Sequence, residues 1–206
     1  MTYTDLIYDF DGTIADSYPI FAEAFLLLLK EKNVSADYDY VMSLLKISVK
    51  AATDAFDFGV DNKTFREKFR DVRNRIMMER GKPMEGAAEL LKFVKDNGGR
   101  NYIYTHSPHY IWDLLEDWGL RDYFEGGITS DDNFPVKPAP DALNHIVSTY
   151  GLDREKCLMV GDRDIDIEAG RNAGIKGILL DPDGFYAKYD PDFRVDRLIG
   201  IKDIIK

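Results

Sequence analysis

Leu6-Ile7-Tyr8-Asp9-Phe10-Asp11-Gly12-Thr13 is the stretch from which the fold can be read. Its apolar first half predicts a buried strand, because three consecutive large apolar side chains leave no face for water. Successive strand side chains point to opposite faces, so Asp9 and Asp11 fall on one side if the strand continues through them. Gly12 then permits a sharp turn. Two carboxylates in one small space are costly unless a cation or a shared proton relieves them, which points to a divalent metal, to proton-transfer chemistry, or to both. The plain alternative is an Asp-Gly turn in which Asp9 caps and Asp11 is solvated. Ligands of open parallel sheets bind beyond the carboxyl ends of the strands, and the pair stands at such an end.

Working outward, 206 residues can bury a substantial core, as one large domain or as a domain carrying an insertion. Apolar residues make up 45% and charged residues 31%, an ordinary globular composition. A net charge of -10 and a pI near 4.8 argue against nucleic acid and anionic membrane surfaces as partners. Cys157 is the one cysteine, so no internal disulfide can form, and no Cys/His spacing suggests zinc. The longest apolar run, from Ala24 to Leu29, is bounded by Glu23 and Lys30 and is far too short to span a bilayer. The expectation is a cytoplasmic monomer.

From Ile14 to Arg80 there is one glycine, Gly59, and one proline, Pro19, so the stretch can be almost wholly helical. Asp16 and Ser17 are N-cap candidates with Pro19 in the first turn, and Phe21, Ala24, Phe25, Leu28 and Leu29 form an apolar stripe at helical spacing. The spacing recurs at Val41, Leu44 and Leu45 and at Phe65, Phe69, Val72 and Ile76, which predicts three or four helices. Such aromatic stripes read as packing surface.

From Pro83 helices alternate with short apolar runs. Helices are expected at 85–97, from Ser107-Pro108 to Trp118, at 141–150 and at 164–172, and strands at 101–105, around 127–129, at 157–160 and at 175–180. Beyond Asp181 the chain reads as a loop before a short closing element near 198–205. The fold class is therefore α/β: a Rossmann-like parallel sheet with helices on both faces. Because the first strand must join that sheet, residues 16–82 are expected to be an all-helical cap domain inserted into a core of residues 1–15 and 83–206.

Polar clusters follow the predicted strands. Asp9 and Asp11 follow the first, and Thr105 ends the second, where its hydroxyl and nearby amides would meet an anion beside a helix beginning at Pro108. Lys137 lies in Pro135-Val-Lys-Pro138-Ala-Pro140, a stiffened loop that would hold an ammonium as counter-ion to phosphate. Asp162 and Asp166 are four apart and share a helix face if the helix begins there, whereas Asp164 points away as a first-turn acid. A calcium loop would need glycine and glutamate where Ile167 and Ala173 stand. Walker loop, Gly-x-Gly-x-x-Gly and Gly-x-Ser-x-Gly signatures are absent. His106, a lone histidine, reads as a hydrogen-bonded loop residue and enters only as a candidate substrate contact, with Gly12 and Thr13. Lys46 and Lys50 would share a face of one helix, from which either could meet an anionic substrate, or both could merely be solvated.

Asp9-Phe10-Asp11-Gly12-Thr13, Thr105, Lys137 and Gly161-Asp162 to Asp166 resemble, in order and approximate spacing, the four motifs of the haloacid dehalogenase superfamily. The helical insertion, Asp16-Ser17 and Lys46 are similar to its phosphoglycolate phosphatase and β-phosphoglucomutase-like branch. One departure is Arg163, where members often carry serine.

The resemblance implies a magnesium-dependent phosphatase acting on a small phosphate monoester. Asp9 would be the nucleophile that forms an aspartyl-phosphate, and Asp11 the acid and base. Thr105 and Lys137 would hold the phosphoryl oxygens. Mg2+ would sit on the Asp9 carboxylate, the Asp11 carbonyl and Asp162, with Asp166 behind them and the cap as a mobile lid. A phosphomutase is the alternative enzyme, and a non-enzymatic phosphoryl-accepting signalling domain is the alternative from another class.

Overall fold

The computed structural model describes residues 1–206. Its strands are β1 (Asp5–Tyr8), β2 (Arg100–Tyr104), β3 (Phe124–Ile128), β4 (Cys157–Gly161), β5 (Lys176–Leu180) and β6 (Phe193–Val195). They form one sheet in the order β3-β2-β1-β4-β5-β6, every pairing parallel. Tyr8 of β1 stands between Ile103 of β2 and Val160 of β4, and all four β1 residues are buried, as a central strand covered on both faces requires. The chain order runs outward from β1 in one direction and then restarts at β4 in the other. Ligands of such sheets bind where that reversal occurs, at the carboxyl ends of β1 and β4.

Two compact units make up the chain, Met1–Ala15 with Pro83–Lys206, and Asp16–Lys82. The second is wholly helical: α1 (Tyr18–Glu31), α2 (Tyr38–Ile47), α3 (Val49–Asp54) and α4 (Asn62–Arg80). Its interior is aromatic, with the buried Phe25 ring 5.3 to 5.9 Å from those of Phe56, Phe58, Phe65 and Phe69. Asp37 and Asp61 cap α2 and α4 by accepting backbone N–H groups. Ser17 does occupy the N-cap of α1, but its side chain makes no capping bond.

One sequence expectation fails here for a local reason. Lys46 lies in the last turn of α2 and Lys50 in the first turn of α3, and between them Ser48 is fully extended (φ -174°, ψ 157°) while its hydroxyl caps Ala51 N. Helical spacing therefore does not put the two lysines on one face. Lys50 instead pairs with Asp54.

Helices α5 (Ala87–Asp96), α6 (Ile111–Asp117), α7 (Asp141–Tyr150), α8 (Asp164–Asn172) and α9 (Ile201–Ile205) belong to the α/β unit. Two elements differ from expectation. Residues 108–110 form a turn, so α6 starts at Ile111 and not at Pro108. The polar tail holds β6, a three-residue edge strand pairing Phe193 with Ile178, too short and too exposed to leave an apolar signature. No helix is long and apolar enough to cross a membrane.

Candidate active site

β1 stops at Tyr8, so strand alternation is not what brings Asp9 and Asp11 together. A turn does that. Asp9 N still donates to Val160 O (2.8 Å), after which Phe10 O accepts from the amides of Thr13, Ile14 and Ala15, with Gly12 at φ +76°. That left-handed conformation is open to glycine at little cost and lets the chain fold back under the two carboxylates.

Lys137 fixes the centre of the site. Its ammonium donates to Asp9 Oδ1 and lies against Asp166 Oδ1, both at 2.8 Å, and stands 4.6 Å from the Tyr104 ring centroid. Only 5% of Lys137 is exposed. Burial alone would lower its pKa, but the two carboxylates outweigh that and hold it well above the usual lysine range. The loop carrying Lys137 is tied down by His106, whose Nε2 accepts from Lys137 N (3.0 Å). An acceptor nitrogen must be unprotonated, and burial against this loop, followed by the Lys137 charge, pushes the His106 pKa down to about 4. His106 thus positions the lysine loop.

α8 begins at Asp164, with Arg163 at its N-cap, so Asp162 lies before the helix and does not share its face with Asp166. The two meet because Asp166 packs directly against Gly161, the last residue of β4. A Cβ on that glycine would come within 2.3 Å of Asp166, which only a missing side chain avoids. Carboxylate oxygens of Asp9, Asp162 and Asp166 all lie within 4.8 Å of one another. Asp166, expected behind the ligands, reaches this cluster, yet its oxygens are engaged by Lys137 and by Arg163 N (3.0 Å). Asp164 turns to its own helix start, accepting from Ile165 N (2.8 Å).

Ser107 is a site residue that the sequence left unmarked. Its hydroxyl donates to Asp11 Oδ2 (2.5 Å), and its amide donates to Thr105 Oγ1 (3.0 Å). The signal was available three residues past the end of β2, but Ser107-Pro108 reads first as a helix start. Asp11 Oδ1 and Thr13 Oγ1 are buried without a partner. Buried polar atoms are nearly always satisfied, so these two mark where a ligand's polar groups belong.

Charge balance completes the site. Burial raises the pKa of Asp9 and Asp166; Lys137 opposes this in both, and Asp11 adds repulsion at Asp9. One ammonium shared by two buried carboxylates, with Asp162 and Asp11 alongside, leaves an excess of negative charge. A hard divalent cation with oxygen ligands fits that excess, and the orphaned Asp11 oxygen agrees. The cluster can present a carboxylate nucleophile beside a positive charge and a second carboxylate with a free proton position.

The sequence model described as haloacid dehalogenase-like hydrolase matches residues 6–180. Pyrophosphatase PpaX of Halalkalibacterium halodurans is 26% identical over 213 aligned residues, spanning 100% of this chain and 98% of that protein. A phosphoglycolate phosphatase of Aquifex aeolicus is 30% identical over 183 residues, 84% of this chain and 83% of that one. Among solved structures, one described as a predicted phosphoglycolate phosphatase from Haemophilus somnus superposes with a TM-score of 0.85 at 21% identity, covering 100% and 99% of the two chains. At that identity the likeness shows the fold alone.

Proposed function

Since the chain belongs to the haloacid dehalogenase-like hydrolase family, we propose that it is a phosphatase that cleaves small phosphorylated molecules with the aid of Mg2+, the phosphoryl group being carried for a time on Asp9. The observation that carries this is the Lys137 ammonium between Asp9 and Asp166, at 2.8 Å from each, in a cluster with carboxylate charge to spare.

In the first half-reaction an Asp9 oxygen attacks phosphorus, and the bond to the leaving oxygen breaks as Asp11 gives that oxygen a proton. Asp11 is built for this. Ser107 holds its Oδ2, leaving the unpartnered Oδ1 as the position for the proton. In the second, Asp11 takes a proton from water, whose oxygen bonds to phosphorus as the bond from phosphorus to Asp9 breaks, releasing phosphate and freeing Asp9. Lys137 offsets charge on the transferring group, and Thr105 and Thr13 offer hydroxyls to its oxygens. The Asp9 and Asp162 carboxylates and the Asp11 carbonyl would hold Mg2+, whose contribution when bound is to neutralise those oxygens. Asp166 and His106 keep Lys137 in place.

Substrate selection is assigned to the helical unit, acting as a cap, with Lys46 and Lys50 to be tested singly. Alanine at either should lower kcat/KM for the best substrate more than for an aryl phosphate. The reaction itself is tested by phosphate release from a panel headed by pyrophosphate and phosphoglycolate, on which the relatives act by name, with sugar phosphates and nucleotides, in Mg2+ and in chelator. Chelator-sensitive release that Asp9→Asn abolishes is expected. Isomerised sugar phosphate without free phosphate would make it a mutase, and a phosphoprotein lasting hours without turnover would make it a phosphoryl acceptor.

A further inference from the structure

Positive charge is divided unevenly along this acidic chain. Residues 16–82 hold twelve Lys and Arg against eleven Asp and Glu, whereas the remainder holds fifteen against twenty-six. Within the helical unit much of the positive charge is gathered on one helix. Lys63, Arg66, Arg70 and Arg73 recur along α4 at intervals of three, four and three, which places them on one stripe. All four line a cavity of about 290 Å3, with Val49 across from them on α3, and a single carboxylate, Glu67, among the lining side chains.

An ordinary solvated helix face would neutralise such a stripe. Elsewhere in this unit that happens: Lys50 pairs with Asp54, Lys68 with Glu31, Arg80 with Glu23 and Lys82 with Asp16. None of the four cavity cations is in an ion pair with a carboxylate, and Arg66 and Arg70 are like charges at the i, i+4 spacing that repels. Asp54, whose charge also acts on Arg66, is occupied by Lys50 and Asn62. Two of the cations are nonetheless held in place. Arg73 lies 4.6 Å over the Phe21 ring and 5.9 Å from that of Phe69, and Arg66 Nη1 reaches Thr53 Oγ1 at 3.4 Å. Guanidinium groups so fixed lose little freedom when they bind an anion.

We propose that this cavity between α3 and α4 is a binding site for a small anion with two or more charges, of the diphosphate or phosphocarboxylate class. Its volume lies at the lower end of small-molecule sites, which suits a compact polyanion. The four donors would supply charge-assisted, partly bidentate bonds. Binding here requires no chemistry at Asp9, so it stands or falls independently of turnover.

The test uses the full chain in chelator and methylenediphosphonate, a diphosphate that cannot be hydrolysed, followed by amide chemical shifts. Saturating shifts are expected in residues 49–53 and 63–73, weakening as salt is raised. The Arg66→Met/Arg70→Met double variant should lower the affinity about tenfold or more. If that variant disturbs amides around the Phe25 core, Arg70→Gln alone serves, since the Arg70 side chain is exposed and makes no internal bond; a loss of about threefold is then expected. Shifts confined to residues 9–13, 105–107 and 162–166, no saturation by about 10 mM, or unchanged affinity in the variants would each overturn the site.

Discussion

In the α/β unit charge is drawn inward, with Lys137, Asp9 and Asp166 almost out of reach of water and clasping one another, whereas the helical unit keeps an aromatic interior and wears its charge outside. The contrast has a physical root. A buried charge must find a specific partner or be neutralised, so side chains of the site are placed one at a time by local devices: the turn at Gly12 for Asp11, the bare Gly161 for Asp166, the His106 acceptor for Lys137. A helix face needs only periodicity. Substitutions should therefore act through chemistry in one unit and through packing in the other.

The largest expected effect tests the first half of that statement. Asp9→Asn preserves shape but removes the nucleophilic charge, and phosphate release should fall by about 1000-fold or more while far-UV circular dichroism is unchanged. Retained turnover would place the chemistry elsewhere.

Next in size is a pair of neighbours that the turn before α8 separates. Asp162 belongs to the carboxylate cluster and Asp164 serves the helix start. Asp162→Asn should raise the Mg2+ concentration for half-maximal activity by about tenfold or more, and Asp164→Asn should leave it within about twofold. Equal behaviour of the two in a Mg2+ titration would dissolve the distinction.

Much of the α/β unit was legible because strand ends are marked twice, by an apolar run and by the polar residue that closes it. Asp9, Thr105 and Asp162 could each be placed that way, and Lys137 by the prolines around it. What was illegible depended on contacts made across the chain. Ser107 matters through Asp11, 96 residues away, and β6 exists only because Ile178 offers it an edge. In the helical unit the aromatic stripes were plain, yet the break at Ser48 was hidden, since serine is tolerated inside helices and reveals its cap only when the backbone extends.

A matched pair of truncations compares the two interiors at similar cost. Lys137→Ala strips two buried carboxylates of their ammonium and should lower stability by about 3–5 kcal/mol in urea, with activity lost. Phe25→Ala empties the aromatic cluster and should also cost about 3–5 kcal/mol. Hydrogen exchange separates them: faster exchange should centre on β1, β2 and β4 in the first case and on α1 and α4 in the second. If Phe25→Ala loosened the sheet as much as its own helices, the two interiors would not be energetically distinct.

The smallest effect is a pH slope that belongs to the α/β unit alone, because all three histidines, His106, His109 and His145, lie there. In the fold His106 stays neutral down to about pH 4, its Nε2 occupied by Lys137 N–H, whereas in the unfolded chain it takes a proton near the ordinary histidine value of about 6.5. The unfolded state thus binds more protons than the native one between those values, so stability must fall as pH falls from about 6.5 towards 4. Above about 6.5 both states are neutral and the contribution is constant. His106→Gln, whose amide oxygen can still accept from Lys137 N but cannot titrate, should flatten the slope between about pH 6.5 and 5 while keeping activity at pH 7.5. His106→Phe should flatten it equally and lose activity, because the lysine loop then has no acceptor. Unfolding midpoints of the three proteins across that range decide the matter: a slope that survives in both variants would mean that His106 does not hold the loop through its neutral nitrogen.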